Sequence, residues 1–163
     1  MSTPSRSRSA ILSGAKIVVA QVGSYESNMI EIAAKAQVSR ATVYNHFADK
    51  EEMMLSLVES EILRLAELAK AAPAPSEALF QLATEISNDQ ALAMMRKTDP
   101  QDIAKFVTAS DHPLWKLANE STEQIFGIKN SGLILHWLLA QIGAPLSAAE
   151  ARHQADQIAS ALL

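Results

Sequence analysis

The sequence has no cysteine. That excludes disulfides, thiolate metal sites and thiol nucleophiles together, and it is easiest to reconcile with a reducing cytoplasm. Aromatic residues make up only 5% of the 163 positions, and five glycines and six prolines leave long stretches free of helix breakers. Such a composition favours helices. No segment alternates apolar and polar residues at a period of two, so no sheet is expected. No run of about 18 apolar residues is present to span a bilayer, and the opening MSTPSRSRSA is too polar and basic for a signal peptide. A cytoplasmic protein without a membrane partner is therefore expected. A glycine-rich phosphate loop, a His-Glu metal helix and a nucleophile elbow are also missing, which argues against an enzyme and against a cofactor. His112, His136 and His153 lack metal-ligand spacing, so no metal site is expected.

What is present is a hydrophobic content of 48%, enough for a real core. The net charge of −4 is unevenly spread. Residues 1–50 carry Arg6, Arg8, Lys16, Lys35, Arg40 and Lys50 against Glu26, Glu31 and Asp49, a balance of +3, and the remainder carries −7. A basic head on an acidic body is drawn to a polyanion by one end only.

Helical periodicity divides the chain. A first helix is expected from about Ser9 to Val22, with Ile11, Leu12, Ala15, Val18, Val19 and Val22 on one face and Gly23 ending it. Asn28 and Glu31 have capping-box spacing at the start of a short second helix, Ser39 can cap a third from Arg40 to Phe47, and Asp49 a long fourth that lasts to Pro73. Further helices are expected from Ser76 through Ile86 and onward toward Met95, around Ile103 to Ala109, from Leu114 to Phe126 and from Ser131 to Ile142. A last one, with Ser147 and Glu150 as capping box, reaches the C-terminus.

The most informative stretch is residues 28–53, NMIEIAAKAQVSRATVYNHFADKEEM. A helix-turn-helix needs a small residue where its helices cross, apolar inner faces and a short turn. Ala33 supplies the first, Ile32, Ala36, Val43 and Phe47 the second, and Val38 plugs the turn. Arg40, Ala41, Thr42, Tyr44, Asn45 and His46 are left facing outward, side chains suited to phosphates, base edges or a thymine methyl. With Gly23, Ile32-Ala33, Val38-Ser39, Tyr44-Asn45-His46-Phe47 and Lys50-Glu51 at their offsets, residues 9–58 resemble the N-terminal domain of the TetR family of repressors.

The resemblance implies an all-α protein. A three-helix DNA-binding domain with a basic N-terminal arm would occupy residues 1–50, and a short helical regulatory and dimerisation domain residues 51–163. It implies a transcriptional regulator, a repressor released by a small-molecule effector, acting on a double-stranded DNA operator. Tyr44, His46 and Lys50 would touch phosphates, and Arg40, Ala41, Thr42 and Asn45 would face bases. Ser27, Asn28 and Ser39 would add contacts at helix N-termini, and Arg6 and Arg8 would form a flexible arm over an adjacent groove. One residue departs from the family pattern: Gln37 stands where the turn usually has glycine, at a cost of about 1 kcal/mol if it keeps a positive φ.

In the second part, residues 131–163 hold more leucine and alanine than so small a body was expected to cover, and they are read as a homodimer interface. Met94, Met95, Phe106, Trp115, Phe126 and Trp137 are candidates for a pocket holding a small apolar effector. The alternative to a DNA-binding regulator is an all-helical ligand-binding or protein-interaction dimer in which the N-terminal helices have no DNA role.

Overall fold

The computed structural model describes residues 3–108 and 110–162, with the side chains of 3–5 left aside. Among the described residues there are ten helices and no strand: α1 (Thr3–Glu26), α2 (Met29–Lys35), α3 (Arg40–His46), α4 (Lys50–Lys70), α5 (Pro75–Asn88), α6 (Gln90–Thr98), α7 (Pro100–Thr108), α8 (Pro113–Phe126), α9 (Ile128–Gly143) and α10 (Ala148–Leu162). The all-α reading holds.

Two apolar clusters organise them. The first joins Ile11, Leu12, Ala15 and Val18 of α1 to Met29, Ile32 and Ala33 of α2, with Val43 and Phe47 from the third helix and its cap and Met53 and Leu57 from α4. The second gathers Ala69, Ala78, Leu79, Leu82, Phe126, Ile134, Leu138 and Ala155. α4 feeds both, because its apolar stripe continues over 21 residues. Each fully buried side chain here, Ile32 or Leu79 for example, stabilises the fold by roughly 1.5–3 kcal/mol relative to exposure.

Several boundaries differ from the expected ones for identifiable reasons. α1 starts well before Ser9 and takes in Arg6 and Arg8. Arg8 is no flexible arm: it donates from Nη2 to Ser56 Oγ at 3.0 Å and lies 5.2 Å from the Phe47 ring centroid. At the other end Gly23 (φ 87°, ψ 174°) interrupts the helical path, as its conformational freedom allows. The helix expected to run on from Ser76 toward Met95 is broken at Asp89 (φ −64°, ψ 120°), whose carboxylate caps α6 by accepting from Leu92 N at 3.0 Å. α7 opens at Pro100 rather than at Ile103, since proline suits a first helical position. The ends expected at Ala109 and Leu163 lie outside the described residues.

The apolar surplus of residues 131–163 is largely spent within the chain. Ile134, Leu135, Leu138 and Leu139 of α9 and Ala151 and Ala155 of α10 are all buried. Among the described residues of this region the exposed large apolar side chain is Leu133, 61% exposed, with Ile128 just before it at 79%. The capping box that opens α10 is reciprocal: Ser147 N donates to Glu150 Oε2 at 3.0 Å and Glu150 N to Ser147 Oγ at 3.3 Å.

Candidate nucleic-acid interface

The interface rests on three caps. Asn28 Oδ1 accepts from Ile30 N at 3.1 Å and Glu31 N at 3.0 Å, which fixes the start of α2. This cap is one-sided, because among the described residues Glu31 returns no bond to the Asn28 amide. Ser39 Oγ accepts from Thr42 N at 3.0 Å at the start of α3, and Asp49 Oδ1 accepts from Glu52 N at 2.8 Å at the start of α4.

Between α2 and α3 the chain reverses through a Schellman motif. Val38 N donates to Ala33 O at 3.0 Å and Gln37 N to Ala34 O at 3.2 Å, with Gln37 at φ 56°. Gln37 therefore adopts the left-handed conformation that the family pattern gives to glycine. Val38 then packs on the first core.

With Val43 and Phe47 held in that core at 0% and 1% exposure, α3 turns its other side to solvent. Arg40, Ala41, Tyr44 and Asn45 are exposed, and Thr42 and His46 are half-buried. The Tyr44 side chain is 56% exposed. The hydroxyls of Thr42 and Ser39 lie 2.8 Å apart, so both serve the cap before they could serve a ligand. Asn28 is exposed, and among the described residues no bond uses its Nδ2 donors.

Two expected contact residues are engaged elsewhere. Ser27 is buried, and its hydroxyl donates to Ser24 O at 2.7 Å. Lys50 directs its ammonium to three backbone carbonyls, Ser24 O at 3.1 Å, Tyr25 O at 2.9 Å and Ser27 O at 3.1 Å. All three of its donors are thereby used, and the charge closes the end of α1 instead of facing solvent. Sequence reading passed over Tyr25, which is 77% exposed near the end of α1. Its place between a helix-ending glycine and an N-cap was the available sign.

The six residues proposed for an effector pocket fall into separate settings. Trp115 Nε1 donates to Phe106 O at 2.8 Å, and the Trp115 ring lies 5.8 Å from that of His136. Phe126 belongs to the second core, and Trp137, whose Nε1 donates to Gln154 Oε1 at 2.7 Å, packs against it. Those two are core residues. Met94 and Met95 are half-buried on α6. An open groove of about 650 Å³ runs between α1 and α4 past Arg8, Lys16, Leu57, Glu61 and Arg64, and none of the six lines it.

Residues 11–57, the span of the first core and the exposed face of α3, match the model of bacterial regulatory proteins of the tetR family. In sequence, the likeness to the tetR family rests on this N-terminal segment. TetR-family proteins are DNA-binding transcriptional regulators, generally repressors. No curated protein sequence matches this chain significantly. Solved structures extend the likeness to the whole TetR fold. A TetR-family transcriptional regulator of Mesorhizobium loti is 22% identical, with a TM-score of 0.65 over 100% of this chain and 98% of that one. The TetR family repressor AlkX of a Dietzia species, implicated in biodegradation of n-alkanes, is 16% identical, with a TM-score of 0.67 over 95% and 94%. The fatty acid degradation regulator FadR of Bacillus halodurans is also 16% identical, with a TM-score of 0.52 over 96% of each chain.

Proposed function

We propose that this chain is a TetR-type homodimeric transcriptional repressor that lays α3 of each protomer into successive major grooves of a two-fold operator. The observation that carries the reading is the division of α3: Val43 and Phe47 are sealed in the core, while Arg40, Ala41, Tyr44 and Asn45 are held outward on a capped helix. Tyr44 and His46 then serve phosphates. Arg40, Ala41, Thr42 and Asn45 face base edges, where a bidentate Arg–guanine pair discriminates by about 1–3 kcal/mol. Asn28 and Ser39 add contacts at the starts of α2 and α3. Residues 1–50 form the DNA-binding part and 51–163 the regulatory part.

The dimer face is assigned to residues 131–163. On α9, Gly132, Leu133, His136 and Ala140 are exposed at spacings that place them on one side of the helix. The effector is a small apolar molecule entering among α6, α7 and α8 near Met94, Met95, Phe106 and Trp115. It acts only if it binds the DNA-incompetent arrangement more tightly than the competent one.

Selection of bound fragments from random duplexes tests the DNA reading. The expected product is a two-fold site with half-sites about one helical turn apart, about 34–36 Å, or a multiple of it. Its affinity should fall steeply with salt. Absence of enrichment for any duplex overturns the proposal. Tryptophan fluorescence during titration with apolar compounds reports on the effector through Trp115.

A further inference from the structure

Two opposite charges grip the backbone of the same two residues. Lys50, from the start of α4, holds the carbonyls of Ser24 and Tyr25. Asp99, between α6 and α7, holds their amides: Oδ2 accepts from Ser24 N at 2.8 Å and Oδ1 from Tyr25 N at 3.4 Å. These amides lie just past the kink at Gly23, in the last short turn of α1, and each carboxylate oxygen takes one of them. Asp99 is buried, and its Oδ2 also accepts from the Thr98 hydroxyl at 2.7 Å. The approach is close enough that a Cβ on Gly23 would run into Thr98 Oγ1 and Asp99 Oδ2. Nearby, Ser24 Oγ donates to Asp102 Oδ2 at 3.2 Å.

The clamped end of α1 leads directly into Asn28 and α2, and from there through the Schellman turn into α3. Asp99 reaches it from outside the helix-turn-helix. It stands at the end of α6, a helix also fixed to α1 at its other end by the Lys16–Asp89 ion pair at 2.8 Å. The same helix is tied to the end of α9, where Arg96 Nη1 donates to Ile142 O at 3.0 Å. A shift of α6 therefore pulls on the end of α1 that precedes the reading unit.

We propose that Lys50 and Asp99 are positioning residues for operator binding, a two-sided clamp that sets how α2 and α3 are presented to DNA. The inference rests on the DNA-binding reading above. It assigns Lys50 a role other than the phosphate contact that its place in the motif implies.

The test uses the full chain and the operator obtained by selection, with affinity measured over a salt series and thermal unfolding followed in parallel. Asp99→Asn removes a negative charge, which by electrostatics alone strengthens attraction to phosphates. The clamp predicts the opposite sign, a weakening of about tenfold. Lys50→Met should also weaken binding but leave the salt slope unchanged, whereas loss of a phosphate contact lowers that slope by about 1. The double variant should lose little more than either single one, since both act on one segment.

Equal or tighter binding by Asp99→Asn overturns the proposal, and so does a salt slope lowered by Lys50→Met. If either variant does not fold, hydrogen exchange of the parent decides. Ser24 and Tyr25 amides should be protected like those of the α1 core, and fast exchange at both refutes the clamp. A parent that retards no duplex sinks the DNA reading and this inference together, while a parent that binds alongside an indifferent Asp99→Asn sinks the inference alone.

Discussion

Gln37 occupies the left-handed region at φ 56° in a turn whose hydrogen bonds are otherwise complete. A side chain there costs about 1 kcal/mol that glycine avoids. Gln37→Gly should therefore raise the free energy of unfolding by about that amount in denaturant titration, since Gln37 is exposed and no core contact is lost. An unchanged or lower stability would mean that the unfolded-state entropy of the added glycine outweighs the relief. On α3, two substitutions separate positioning from reading. Tyr44→Phe removes an exposed hydroxyl and should weaken every duplex by about 0.5–1.5 kcal/mol with little change in preference. Arg40→Ala should weaken the operator more than scrambled DNA and relax one base pair in each half-site. If it weakens both equally and lowers the salt slope, Arg40 is a phosphate contact, and base reading passes to Thr42 and Asn45.

Helices whose ends are set by neighbours in sequence were legible, and those whose ends depend on distant partners were not. Asn28, Ser39 and Asp49 each cap the helix that follows, and all three ends were readable from residue type and spacing. The break at Asp89 was hidden, because helical periodicity runs through it. Its carboxylate is held both by the local amide of Leu92 and by Lys16 of α1, at 2.8 Å. The bonds of Lys50 were hidden for a related reason: its partners are backbone carbonyls, which leave no trace in residue type. The face of α3 was legible, since the inward positions Val43 and Phe47 define the outward ones. Asp89→Ala removes the α6 cap and one partner of the part-buried Lys16, leaving Glu61 as the other. A loss of about 1–2 kcal/mol is expected in denaturant titration. No measurable loss would show that α6 needs neither its cap nor its tie to α1.

Acid should loosen the molecule through a few identified carboxyls. Burial pushes the Asp99 carboxyl up, but bonds from the Thr98 hydroxyl and the Ser24 and Tyr25 amides outweigh it and hold the group below the ordinary aspartate range. The bond from Arg152 holds Glu77 down, and those from Ser147 hold Glu150 down. Groups with lowered folded-state pKa stabilise the fold fully above their unfolded values, about 3.9 for aspartate and 4.3 for glutamate, and lose that contribution as pH falls through the folded values. Thermal unfolding midpoints should hold steady from about pH 6 to about pH 4.5 and then fall. In Asp99→Asn the fall should be shallower; an identical acid limb would remove Asp99 from the account.

Assembly is tested on α9 rather than by removing α10, because Ala151 and Ala155 are buried within the chain and truncation would open the second core. Leu133 is suited to the purpose. At 61% exposure it contributes little to the single protomer, so Leu133→Asp should change monomer stability by no more than about 0.5 kcal/mol. At a two-fold interface the same change acts twice, because each protomer presents its own carboxylate to a face from which water is excluded. Sedimentation should then show monomers at concentrations where the parent is a dimer. Operator binding should fall in step, since a lone protomer brings one α3 to a half-site and forfeits the effective concentration that links the second. The residual binding should match that of the parent on a single half-site. A Leu133→Asp protein that remains a dimer with intact operator affinity would exclude this face of α9, and the interface would have to be sought on the outward side of α10.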